Sequence, residues 1–258
     1  MDDDTFEHWA ARQLTEYDGC HPGTLFAEGV TLNVEDAYRL QAAIAQLRRA
    51  RGERVVGYKV GCTSPVIRKQ LGIDHCVTGR LYDTEQHLSG ATLSRSSFDH
   101  LSIEGELAVE LSRTPVAQDF EGDAIPGCVS RVFPVIELHN HVLRGESPTA
   151  GELIANNAIH AGVVAGTGIL PTDTDSEPVL RIFEDKQLVE ECGGAELIQT
   201  IRTSLEWLSG ILNDRGDELC AGHIVLTGSI PPLIPVRSNC SIRVETSPFG
   251  TVEARFID

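Results

Sequence analysis

The chain has no apolar run near the roughly eighteen residues that a membrane-spanning helix needs, so no membrane partner is expected. Its start, Met1-Asp2-Asp3-Asp4, carries no basic residue and no apolar core follows, so a secretory leader is not expected. No two cysteines have the Cys-x-x-Cys spacing. The seven present (Cys20, Cys62, Cys76, Cys128, Cys192, Cys220 and Cys240) are odd in number and widely spread. That pattern points to reduced thiols in a cytoplasmic protein and away from structural zinc. Basic residues are also scarce. With 21 Lys and Arg against 38 Asp and Glu, the formal charge is −17, the wrong sign for a nucleic-acid partner. A small-molecule ligand is the class these absences leave.

What is present is ordinary globular material. The 258 residues are 41% hydrophobic and 23% charged, enough for a continuous core, with no repeat or long linker. Phe6, Trp9, Ala10 and Leu14 fall at helical spacing. Asn33 suits an N-cap for the stripe Val34, Ala37, Leu40, Ile44 and Leu47, which closes on Arg48, Arg49, Arg51 and Gly52. Residues 54–60 read as a strand, and Ser64-Pro65 opens a short helix ending at Gly72. Residues 101–111 and 132–141 alternate as strands. Thr149 and Glu152 form a capping box for a helix expected to run to about Val164. A hairpin is expected around Glu184-Asp185-Lys186, a helix over 195–212, and a short strand over 225–227. Two strands, 242–246 and 251–257, should flank the turn at 247–250. The class expected is α+β, with a helical N-terminal region (1–53) and a β-rich mixed-sheet domain (54–258).

The residues richest in chemistry lie on the two long strands. Alternation puts Ile103, Gly105, Leu107, Val109 and Leu111 on one face, and Glu104, Glu106, Ala108 and Glu110 on the other. Carboxylates two apart on one strand face sit about 7 Å apart and repel where water is excluded. Spacing alone also fits a solvated face. Glu137, however, sits inside the apolar run Val132-Phe-Pro-Val-Ile-Glu137-Leu, where a carboxylate must be paired, protonated or bound to a cation. Two glutamates from one strand and one from another would suit Mg²⁺ or Mn²⁺. His139 and His141 continue the Glu137 face and would permit a two-histidine, one-carboxylate site. A His-x-His pair is so unspecific that packing or surface histidines are the expectation here.

Several segments, taken in order, resemble the hydratase and decarboxylase branch of the fumarylacetoacetate hydrolase superfamily. They are Val56-Gly-Tyr-Lys59-Val-Gly61-Cys-Thr-Ser, Gln70-Leu-Gly-Ile-Asp74 with Gly79-Arg-Leu-Tyr82, Ile103-Glu-Gly-Glu-Leu-Ala-Val109, Pro134-Val-Ile-Glu137, Glu152-Leu-Ile-Ala-Asn-Asn-Ala158 and Leu226-Thr-Gly-Ser229. The resemblance implies a small helical N-terminal region, a β-rich roll and a homo-oligomer. It implies Mg²⁺ or Mn²⁺ on Glu104, Glu106 and Glu137, with Lys59 as the catalytic proton-handling residue. Thr227, Gly228, Ser229 and Asn156 would contact a small 2-oxo acid. The activity implied is hydration of a 2-hydroxydienoate, as in 2-keto-4-pentenoate hydratases of aromatic catabolism. Decarboxylation of a 4-oxalocrotonate-type acid, acylpyruvate hydrolysis and a non-catalytic oxo-acid-binding or structural role stay open. A lysine beside a metal is expected to have a lowered pKa.

The chain departs from that branch at Asn140-His141-Val142, at Asn156-Asn157-Ala158-Ile159, at His75-Cys76-Val77-Thr78 and at Ile230-Pro231-Pro232. These departures leave the metal half of the site intact and rebuild the proton-transfer half. His141 and His160 are the candidate replacement acid or base, since imidazole titrates near neutrality.

Overall fold

A computed structural model describes residues 3–145, 148–170 and 177–258; Met1 and Asp2 of the acidic start lie outside them. The helices are α1 (Asp3–Asp18), α2 (Thr24–Ala27), α3 (Val34–Ala50), α4 (Pro65–Leu71), α5 (Ala150–Ala155) and α6 (Ala195–Asp214). The first seven strands are β1 (Val55–Gly61), β2 (Val77–Tyr82), β3 (Gln86–Leu88), β4 (Ala91–Ser94), β5 (Leu101–Leu111), β6 (Val129–Asn140) and β7 (His160–Ala165). The others are β8 (Val179–Glu184), β9 (Gln187–Gly193), β10 (Ile224–Leu226), β11 (Ile234–Pro235), β12 (Cys240–Ser247) and β13 (Gly250–Ile257). The fold is thus mixed α and β, as its composition and patterning imply.

Two sheets carry the core. The larger runs β2-β1-β10-β5-β6-β7-β3, with β11 paired to the end of β5; the smaller runs β4-β13-β12-β8-β9. Ile103, Leu107 and Val109 of β5 and Ile136 and Leu138 of β6 pack with Ile182, Val244, Val252 and Phe256 of the smaller sheet. Alternation explains this: one face of β5 is apolar and goes to the sheet interface. The stripe Leu197, Ile201, Leu205, Leu208 and Leu212 of α6 joins the same core. The opposite face of β5 holds the glutamates and is flanked by a smaller apolar group that includes Ala108, Phe133, Val135, Val163 and Leu226.

The N-terminal helices form a separate apolar cluster with Val77 of β2 and with α5. Asn33 caps α3 by accepting from Asp36 N, as its position implies. Thr149 likewise caps α5 by accepting from Glu152 N. The Glu152 carboxylate turns instead to the amides of Arg144 and Gly145.

The helix expected to run to Val164 ends at Ala155. Asn157, Ala158 and Ile159 take positive φ angles (55°, 52° and 57°), and the chain leaves as strand β7. Asn157 holds this left-handed run by a two-way clasp of the Arg80 backbone, donating to Arg80 O at 2.9 Å and accepting from Arg80 N at 2.7 Å. Val163 and Val164 then fill buried β positions that favour β-branched side chains.

Candidate active site

β5 and β6 pair antiparallel with Glu104 directly opposite Glu137. Like charges in that register repel unless something lies between them. On the same face, Glu106 stands opposite Val135, diagonal to Glu137. β1 lies beyond β10, and the curl of the sheet brings Lys59 Nζ to 3.2 Å from Glu137 Oε1, with both side chains essentially buried. Lys59 Nζ is also 3.4 Å from Ala158 O, the carbonyl presented by the left-handed run. The surroundings are therefore not those of a solvated face. Glu106 is 2% exposed and Glu137 fully buried, while Glu104 is the most open of the three. Glu110, the last acid of the stripe, lies outside the cluster and pairs with Arg131 at 2.6 Å.

The third turn of the site is the loop after β10. Gly228 takes φ +97°, and a Cβ there would sit 2.5 Å from Thr63 Cγ2, so only glycine fits without strain. Gly228 N donates to Glu106 Oε2. Thr227 Oγ1 donates to Leu107 O at 2.7 Å, and Ser229 Oγ donates to Pro231 O at 2.8 Å. Thr227 therefore anchors the loop to β5, Gly228 meets Glu106, and Ser229 Oγ also lies 3.4 Å from Gly105 O.

The histidines divide differently from the sequence expectation. His139, expected to be a packing or surface residue, lies in the cluster: its Nε2 is 3.4 Å from Glu104 Oε2 and 3.5 Å from Glu137 Oε2. His160 Nδ1 is 2.7 Å from Glu137 Oε1. The register against β7 slips here: Leu138 faces Gly162 but His139 faces His160, with Ala161 as the extra residue. Such bulges re-aim side chains. His141 is exposed at the strand end, with Ser102 Oγ at 3.5 Å. Asn156 is held away from the carboxylates, donating to Glu152 O and accepting from Gln13 Nε2. It touches the site only through a cavity of about 10 Å³ that it shares with His160, Asn140 and Ile159.

The charges are unbalanced. Burial pushes the Glu106 carboxyl well above the usual range, and Glu137 and Glu104 beside it push the same way. Burial pushes Glu137 up too, but Lys59, His139 and His160 outweigh it and hold Glu137 down as a carboxylate. For Lys59, burial lowers the ammonium pKa, yet Glu137, Glu104 and Glu106 outweigh it and leave it raised. With these side chains alone, the expected lowering of Lys59 is thus reversed.

Oxygen and nitrogen donors converge here without partners. Glu106 Oε1, Glu137 Oε2, both ring nitrogens of His139 and His160 Nε2 are buried with no hydrogen-bond partner among the described residues. Buried polar atoms are rarely left so. One donor atom each from Glu104, Glu137 and His139 all lie within 4.8 Å of one another. This donor set fits a divalent cation.

No family model matches the chain. A 2-keto-4-pentenoate hydratase from Burkholderia vietnamiensis is 28% identical over 224 residues, 86% of either chain. A 4-oxalocrotonate decarboxylase from Pseudomonas putida is 26% identical over 224 residues, 86% of this chain and 85% of its own. The chain is homologous to these hydratases and decarboxylases. The 4-oxalocrotonate decarboxylase of P. putida G7, complexed with calcium and acetate, matches this homologue with a TM-score of 0.86 at 25% identity, over 100% of this chain and 99% of its own. A fumarylpyruvate hydrolase from Pseudomonas aeruginosa, complexed with Mn²⁺ and pyruvate, shares the fold more loosely. Its TM-score is 0.59 at 15% identity, covering 78% of this chain and 88% of that one.

Proposed function

We propose that the chain is a divalent-metal-dependent lyase that hydrates a small 2-hydroxydienoate or 2-oxo-enoate, of the 2-keto-4-pentenoate hydratase type. The observation that carries it is the convergence of donor atoms of Glu104, Glu137 and His139 within 4.8 Å, with partnerless buried oxygens on Glu106 and Glu137 beside a buried lysine. Glu104, Glu106 and Glu137 would hold Mg²⁺ or Mn²⁺, both oxygen-seeking ions. A bound divalent cation supplies Lewis-acid stabilisation for negative charge developing at a 2-oxo acid's C2 oxygen.

The chain's own residues supply the rest. Lys59 Nζ, charged and fixed by Glu137 Oε1 and Ala158 O, can donate a proton to substrate carbon or oxygen and take it back. Gly228, bonded to Glu106, and Ser229, against Gly105 O, would border the substrate's carboxylate end. His160 Nδ1 holds Glu137, and its Nε2 is left for a water or proton, which keeps His160 ahead of the exposed His141 as acid or base. The domain division at residue 54, a cytoplasmic homo-oligomer and a role in aromatic catabolism belong to the same proposal. No helix among the described residues is long and apolar enough to cross a membrane.

Decarboxylation is the second reading, favoured by the likeness to 4-oxalocrotonate decarboxylases in sequence and structure. It would use the same carboxylates and lysine.

The test is Mn²⁺ titration with electron paramagnetic resonance, with and without oxalate as an enolate mimic, on wild type and Glu106→Gln. Stoichiometric Mn²⁺ that binds tighter with oxalate and weakens in the variant is the expected result. Absent binding would reduce the cluster to a buried acid network and remove the enzyme reading. A panel of dienoates and oxalocrotonate then separates hydration from decarboxylation.

A further inference from the structure

His139 stands apart from the oxygen-only site that the family resemblance implies. It is 1% exposed, and neither ring nitrogen has a hydrogen-bond partner among the described residues. A histidine buried for packing normally satisfies at least one nitrogen. An ion-paired histidine would donate to a carboxylate, yet Nε2 approaches two carboxylate oxygens, 3.4 and 3.5 Å away, and hydrogen-bonds to neither. Donor atoms bound side by side on one ion, with bonds of about 2.0–2.5 Å, lie about 3–3.5 Å apart. The distances from Nε2 to Glu104 Oε2 and to Glu137 Oε2 therefore match edges of a coordination shell better than hydrogen bonds.

The backbone supports this placement. Glu137 and His139 are two residues apart on β6, and the pairing slip with β7 falls between Leu138 and His139. The slip also sets His160 opposite His139, with His160 Nδ1 on the other oxygen of Glu137. Glu137 Oε1 is thereby taken by Lys59 and His160, and Oε2 is left facing Glu104 and His139. Held ligand carboxylates have such partners behind them.

We propose that His139 Nε2 binds the same divalent ion as Glu104 and Glu137, and that this nitrogen makes the site prefer Mn²⁺ over Mg²⁺. The inference rests on the metal-site reading above and adds the ligand that decides ion choice. The chemistry is simple: carboxylates alone separate Mg²⁺ from Mn²⁺ poorly, whereas imidazole suits transition ions and gives Mg²⁺ little.

The experiment is pulsed electron paramagnetic resonance of wild-type protein loaded with Mn²⁺, read for ¹⁴N modulation, together with Mg²⁺ competition. His139→Val and Glu104→Gln are measured alongside, with circular dichroism as the check on folding. Expected are ¹⁴N modulation in wild type, its loss in His139→Val, and a fall in Mn²⁺ over Mg²⁺ preference. That fall should reach at least the ~10-fold that loss of an outer-shell partner brings. Stoichiometric Mn²⁺ without ¹⁴N modulation would overturn the nitrogen ligand and leave the glutamate site standing. Modulation that survives in a folded His139→Val would overturn it by placing the nitrogen elsewhere. No Mn²⁺ binding in wild type would overturn both this inference and the lyase reading. Should His139→Val not fold, His160→Gln decides: modulation kept there assigns the nitrogen to His139, and modulation lost overturns the assignment.

Discussion

Two buried polar clusters, one joining α3 to the residues at the end of β2 and one on β5 and β6, are built on different principles. In the first, Arg48 of α3 reaches Glu53 and Glu85 at 2.5 Å each, and Arg51 adds a second contact to Glu53. Tyr17 of α1 donates to Glu85 Oε1 at 2.6 Å, and Arg48 lies 3.5 Å over the Tyr82 ring. Two cations meet two carboxylates, and the network ties the helical region to the sheet. In the second, Lys59 faces Glu104, Glu106 and Glu137, with two histidines among them. The first cluster is closed by its own side chains except at one atom, Glu85 Oε2. The second is left short of positive charge and rich in partnerless donors, which is what a site for a cation and an anionic substrate requires.

The comparison breaks most sharply at the two cations. If Lys59 were only a counter-ion, as Arg48 is, its removal would lower stability and nothing else. We expect Lys59→Met instead to keep Mn²⁺ binding and to lose about 10²–10⁴ in turnover, the range for a lost proton-transfer group. Steady-state rates on a dienoate panel, with Mn²⁺ titration alongside, read both halves. Retained turnover would return Lys59 to the role of counter-ion.

Arg48 should show the reverse. Arg48→Ala leaves Glu85 buried without a cation and Glu53 with Arg51 alone, a change that removes about 3–5 kcal/mol. Urea unfolding should show that loss while Mn²⁺ affinity, read on the folded fraction, stays unchanged. A variant of wild-type stability would mean the network merely breaks even against its desolvation.

How much of this was legible in the sequence follows from what each residue's partners are. The alternation of residues 101–111 fixes both faces of β5, because a strand buries by period two regardless of what lies across from it. Glu137 announces itself as a carboxylate in an apolar run. The caps at Asn33 and Thr149 are local and are read correctly. The end of α5 is not local: the left-handed run at Asn157–Ile159 is held by the backbone of Arg80, 77 residues away. Two adjacent asparagines, which tolerate positive φ, were the available signal. His139 was missed for a related reason. Spacing puts it on the Glu137 face, but only the pairing of β5 with β6 shows that Glu104 stands there to meet it. His141, two residues on, has the same spacing and falls outside.

The smallest expected effect separates the clusters by the sign of their pH dependence. Burial alone would raise Glu53, but Arg48 and Arg51 outweigh it and lower its pKa in the folded chain. A carboxylate so lowered stabilises the fold above its unfolded pKa of about 4.3, and that contribution fades as pH falls through the lower folded value. Glu106 is shifted the opposite way, so the folded chain holds a proton there that the unfolded chain releases above about pH 4.3. Its contribution therefore weakens as pH rises from that point. In chelator-treated protein, unfolding midpoints taken from about pH 3 upward should rise less steeply for Arg48→Ala than for wild type. They should rise more steeply for Glu106→Gln, which cannot titrate. Adding Mn²⁺ to wild type should mimic the glutamine variant, because a cation displaces that proton. Parallel curves for all three proteins would show that the two clusters respond to protons alike, and the contrast between a closed network and an open site would fail.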